Sequence, residues 1–177
     1  AGMTQQDRTQ LRNREQQASF AFFGLPEDHY RILPLENAPD DQVDYTENNI
    51  KTLETIVQEL RPDMLFMPHG NDTNRAHRDM CRMMRDIAGR MAWPIVLMLN
   101  SDVKTVDMRK DYYIAFGQEE AAWKGQLLRH HDSQHQRNLR DRGHGFDDRV
   151  LMLNGRTAQG LGIAQPYAES FEIEMCD

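Results

Sequence analysis

The chain has 177 residues, enough for one domain with a proper core and too few for two ordinary ones. Its 28 acidic against 21 basic side chains give a formal charge of −7, which excludes a general nucleic-acid binder, since that needs a basic face. No apolar run approaches the ~20 residues that cross a membrane, and two distant cysteines, Cys81 and Cys176, read as free thiols of a reducing, cytoplasmic compartment.

Residues 6–23 are predicted as a helix, with Leu11, Ala18, Phe22 and Phe23 on one apolar face and a stop at Gly24 and Pro26. His29 to Leu35 reads as a short strand, and the acidic, proline-containing stretch 36–44 as a loop. A second helix over 45–60 carries Ile50, Leu53, Ile56, Val57 and Leu60 at helical spacing and breaks at Arg61-Pro62-Asp63. Met64 to Pro68 is a buried strand. A third helix, from near Thr73 to about Met91, buries Ala76, Met80, Met83, Met84 and Ile87, its methionines serving as core filler. Pro94 to Leu99 and Asp111 to Phe116 are strands, and Glu119 to His131 is a helix. Arg137 to Arg142 is a charged linker or short helix, 146–161 a last helix, and Tyr167 to Ile173 a last strand.

Strands alternating with helices predict an α/β fold, a mostly parallel sheet with helices on both faces. A doubly wound fold normally opens on a central strand, and this sequence opens on a helix, so a first strand is expected to be missing. An open central edge is an aggregation hazard. A partner strand is therefore expected, from residues outside these 177 or from another chain, and a homo-oligomer is one form this takes.

The chemistry gathers in Pro68-His69-Gly70-Asn71-Asp72-Thr73-Asn74-Arg75-Ala76-His77-Arg78, where a buried strand hands over to a helix. Ligands bind at the carboxyl ends of strands in open α/β sheets. His77, in the first helical turn, is either a zinc ligand or a hydrogen-bonded structural histidine. Asp72, Thr73 and Asn74 are all able to cap the helix, and the free N–H groups of that first turn also welcome an oxyanion. His69 either lines the same cleft or caps the strand. His130, His131 and His135 lie near Asp132 in sequence, but a solvated helix end explains them as well as a metal site does. Lys124 reads as an exposed or snorkelling charge, and Glu169 as a strand residue that either faces a cleft or makes a structural hydrogen bond. There is no Gly-x-Ser-x-Gly elbow, no Walker-type loop and no Gly-x-Gly-x-x-Gly.

Four segments, in order, resemble the LmbE-like, or PIG-L, family of zinc-dependent de-N-acetylases. Arg12-Asn13-Arg14-Glu15 with Ala18 and Gly24 is similar to that family's R-x-x-E-x-x-x-A helix. Pro68 to Arg78 resembles its second site motif, Lys124 with His131-Asp132-Ser133-Gln134 its K…H-x-S-Q helix, and Tyr167-Ala168-Glu169-Ser170-Phe171 its closing Y-A-E-x-F strand. The resemblance implies a single domain over 1–177 with a Rossmann-like fold. It implies metal-assisted removal of an N-acetyl group from an amino sugar or related glycoconjugate. It makes His77 a zinc ligand, puts Asp72 and Asn74 at the reacting amide, and makes Arg12 a substrate-holding position; His69, from its place after the strand, is taken as a substrate-binding residue with it. The family's leading A-H-P-D-D-E motif, source of its other zinc ligands and its general base, has no counterpart here. Ala1-Gly2 resembles a segment that follows it, and Asn74 and Ala76 stand where many members carry His and Asp. With one confident ligand, this piece alone is expected to be inactive. The rival reading is a non-catalytic carbohydrate-binding or scaffold module on the same fold.

Overall fold

The structure is a computed structural model that describes residues 3–40 and 42–176; the expectation for Ala1-Gly2 lies outside the described residues. Two compact units emerge, one of residues 1–33 and 115–168, the other of 34–114 and 169–177.

In the first unit, α1 (Gln5–Phe23) is capped by Thr4, whose hydroxyl accepts from the Asp7 N–H while Asp7 answers to the Thr4 N–H, and it ends at Gly24 with φ +81°. The expected apolar face of α1 is not what it buries. Ala18 and Phe23 are exposed, and the buried residues are Glu15 and Ser19. The reason is α5 (Asp132–Arg142), a full helix where a linker or short helix was expected. Glu15 accepts both the Ser133 N–H (2.6 Å) and the Ser133 hydroxyl (2.8 Å), supplying from α1 the acceptors that the first turn of α5 needs. α4 (Gln118–Arg129) packs on α1 and on α6 (Phe146–Leu161), which packs on α5, with Gly125 of α4 meeting Leu151 of α6.

The expected strand at 29–35 does not form. Residues Glu27–His29 make a 3-10 turn and 30–36 belong to no strand. Pro34 has no N–H to give to a ladder, Ile32 is exposed, and the Tyr30 ring packs on Phe20 instead, 4.4 Å between centroids.

The second unit holds α2 (Glu47–Leu60), β1 (Met64–Pro68), α3 (Arg75–Ala88) and β2 (Ile95–Asn100), together with most of β3 (Tyr112–Phe116) and β4 (Tyr167–Cys176). The sheet order is β1-β2-β4-β3. β1 and β2 are parallel, in register from Met64↔Val96 to Pro68↔Asn100, and β4 runs antiparallel to β2. The sheet is thus mixed, within the α/β class that the alternation predicts. The β1–β2 pair places two carboxyl ends side by side. The core of this unit is apolar: Leu53 and Val57 of α2, Cys81, Met83, Met84, Ile87 and Ala88 of α3, and Met67, Ile95, Leu97 and Leu99 of the sheet are buried. The strand at Met64–Pro68 is not the buried one expected: β1 lies at the edge of the sheet order, and Met64 and Phe66 are exposed, as is Leu60 of α2. Burial pushes the Cys81 thiol up, so it stays protonated and packs as a small apolar group.

Candidate metal centre

The segment after β1 is tied to the segment after β2. Thr73 N–H donates to the Lys104 carbonyl (3.0 Å) and Val106 N–H to the Asn71 carbonyl (2.9 Å), which brackets an isolated antiparallel bridge between Asp72 and Thr105. Asn71 Nδ2 adds a bond to the Asp107 carbonyl at 3.0 Å. The second loop is folded by its own side chains. Asp102 Oδ1 accepts from the Lys104 N–H (3.0 Å), and Thr105 Oγ1 from the Asp102 N–H (2.9 Å). Short polar side chains turn the backbone this way because they replace a backbone acceptor locally.

Asp72 is at the centre. Its side chain is fully shielded from solvent, while a quarter of the His77 side chain is exposed. Asp72 Oδ1 accepts from the Asn74 N–H at 2.6 Å, and Oδ2 lies 3.0 Å from His77 Nδ1. Arg78 donates to the Asp72 carbonyl at 2.8 Å. Asn74 caps α3 through its side-chain oxygen, which accepts from the Ala76 N–H. Of the three capping candidates Asn74 therefore takes the helix, and Asp72 is left to hold the loop and the His77 ring. Such a carboxylate–histidine pair fixes the tautomer and leaves Nε2 with its lone pair available.

His69 is buried and spends both nitrogens internally. Nδ1 accepts from the Asn71 N–H (3.0 Å), so Nε2 carries the proton and faces Glu172 Oε2 at 3.3 Å. Glu172 is also held by the Arg109 N–H and guanidinium, at 2.7 and 2.8 Å. That arrangement is the strand-capping alternative for His69. Arg12 is exposed on α1 of the other unit.

One donor atom each from Asp72, His77 and Asp102 lies within 4.8 Å of the other two, the one such group of three among the described residues. An imidazole with carboxylates suits a borderline or hard divalent cation, so this donor set fits zinc. Asp102 has no place in the sequence expectations. Its signal was available: two residues past the end of a buried strand beside β1, it obeys the same strand-tip rule that singled out Asp72 and His77.

The histidine-rich alternative is not assembled as a metal site. His130 packs on the Phe22 ring, 5.0 Å between centroids. Burial pushes the imidazole of His131 down. His135 Nδ1 faces Asp147 Oδ1 at 3.1 Å, with Arg129 on the other oxygen at 2.6 Å. Lys124 donates to Asn154 Oδ1 (2.9 Å) and lies over the Phe116 ring, so it is half-buried and engaged.

The sequence matches no protein-family model and no curated protein. Solved structures share its fold. The zinc-inhibited form of teicoplanin deacetylase Orf2 is 15% identical with a TM-score of 0.64, covering 97% of this chain and 76% of its own. The N,N'-diacetylchitobiose deacetylase of Pyrococcus horikoshii is 16% identical at a TM-score of 0.69, covering 98% of this chain and 66% of its own. GalB, the 4-carboxy-2-hydroxymuconate hydratase of Pseudomonas putida KT2440, is 14% identical at 0.65, covering 93% and 71%. The chain therefore has the α/β fold that two deacetylases and a hydratase share.

Proposed function

We propose that this chain is a zinc-dependent amide hydrolase of the LmbE-like type, acting on an N-acetylated amino sugar or related glycoconjugate. The observation that carries the reading is the Asp72–His77 pair, seated at the tip of β1 with a second carboxylate, Asp102, beside it. Two of the similar structures are deacetylases, and the four ordered segments resemble the motifs of the LmbE-like family. Because GalB is a hydratase, the reading rests on the donor set as well as the fold.

Bound zinc would supply Lewis-acid polarisation of the acetyl carbonyl. The chain's own residues do the rest. Asp72 orients His77 and contributes negative charge. Asn74 spends Oδ1 on the helix cap, which leaves its amide Nδ2 to donate to a substrate oxygen.

The test is acetate release from a panel of N-acetylated amino sugars. Zinc is titrated, because one structure of this fold is a zinc-inhibited form. Acetate release that rises with zinc and is abolished in His77→Ala is expected, in place of the inactivity that a single ligand implied, because Asp102 adds a second donor beside His77. Sugar binding that ignores a chelator, with no acetate released at any zinc level, would instead establish the non-catalytic carbohydrate-binding module.

A further inference from the structure

The structure assigns Asp102 as a cation ligand beside His77, a role for which the Pro68–Arg78 motif has no residue. The choice of zinc as the cation rests on the hydrolase reading above; the ligand assignment rests on the geometry of this loop pair. Parallel pairing sets Pro68 against Asn100, so both chains leave the sheet at the same place. The bonds from Thr73 to Lys104 and from Val106 to Asn71 then zip the two loops together and bring Asp102 to Asp72.

Within its loop Asp102 spends only Oδ1, on the Lys104 N–H. Oδ2 has no hydrogen bond among the described residues, and neither has His77 Nε2. Asp72, by contrast, has both oxygens engaged, by Asn74 and by His77. The cluster thus offers two uncommitted donors, one imidazole nitrogen and one carboxylate oxygen, next to a carboxylate that orients the ring. Ligands about 2.0–2.1 Å from a tetrahedral zinc stand roughly 3.3 Å apart. With one ligand atom of each of the three side chains already within 4.8 Å of the other two, side-chain adjustment is enough to close the group on one ion.

The experiment is titration of the full chain with Zn²⁺ against a chromophoric chelator, and with Co²⁺ followed by its visible absorption. Asp102→Asn retains an oxygen for the Lys104 N–H and removes the charge. It is expected to weaken Zn²⁺ binding at least about tenfold, the scale found even for partners one shell out from a metal. Its metal-free unfolding midpoint is expected to stay at the wild-type value. Asp102→Glu restores most of the affinity. Thr105→Val loosens the same loop without touching a donor and binds Zn²⁺ nearly as the wild type does. Wild-type affinity in Asp102→Asn, or no binding of either ion by the wild-type chain, would overturn the assignment. Acetate release is read on the same samples. Zinc binding that needs Asp102, with no acetate released, leaves the ligand standing and removes the hydrolase reading. Zinc-dependent release with Asp102→Asn unaltered in affinity does the opposite.

Discussion

Glu15→Ala removes both acceptors that hold the first turn of α5. Glu15 is buried, and its oxygens take the Ser133 N–H at 2.6 Å and the Ser133 hydroxyl at 2.8 Å. A hydrogen bond to a charged acceptor contributes about 1.5–3 kcal/mol net. The Ser133 hydroxyl can turn to another partner after the substitution, so its share is small. The N–H has no such freedom at a half-buried helix start, and the loss of a negative charge there adds about 0.5 kcal/mol through the helix dipole. The expected cost is about 2–4 kcal/mol, which in a chain of this size lowers Tm by roughly 5–15 °C. Glu15→Gln keeps one acceptor and is expected to cost about half as much. Urea unfolding followed by circular dichroism gives the free energies, and a cycle with Ser133→Ala isolates the pair, whose coupling is expected to exceed about 1 kcal/mol. A loss below about 0.5 kcal/mol in Glu15→Ala, or additive single variants, would refute the reasoning.

Asn74→Ala removes the cap of α3 and is expected to destabilise by about 1 kcal/mol in the same assay. Replacement by Ser, which also caps, recovers most of it. Burial pushes the Asp147 carboxyl up, but the Arg129 guanidinium at 2.6 Å and neighbouring donors outweigh it and hold the group below the ordinary 3.8. A carboxylate depressed in the folded state stabilises above its unfolded value and loses that contribution as pH falls through the folded one. Arg129→Met is therefore expected to be less stable than wild type at pH 6, with the gap closing as pH drops below about 4. A gap constant with pH would show that the pair is energetically silent.

Most elements were legible because their apolar spacing was. Val57 and Leu53 on α2, Met83, Met84 and Ile87 on α3, and most of the β2 run are buried where the pattern predicts, whereas β1 forms where expected but buries only Met67. The misses share a cause. Glu15 and Ser19 are buried on α1 in place of apolar residues, since a helix start elsewhere in the sequence needs an acceptor, and no local pattern reveals that. The stretch 29–35 has strand-forming residues but forms no strand, since Pro34 has no N–H for a ladder and Tyr30 packs on Phe20 instead. In the candidate site, Asp72, Asn74 and His77 stand together in sequence because they crowd one strand tip. Asp102, about thirty residues on, could be reached only by asking which other strand ends beside that tip. Glu15 and Ser133 also belong to two segments that resemble the deacetylase motifs. Here they satisfy each other, so part of that pattern serves the fold directly.

The most direct test of the account is the location of the cation. Crystals of the full chain soaked in dilute Zn²⁺ would be measured on both sides of the zinc absorption edge. The account predicts one strong anomalous peak within bonding distance of His77 and Asp102, with Asp72 still on His77 Nδ1. A peak at His130, His131 or His135, or none near the tips of β1 and β2, would contradict it.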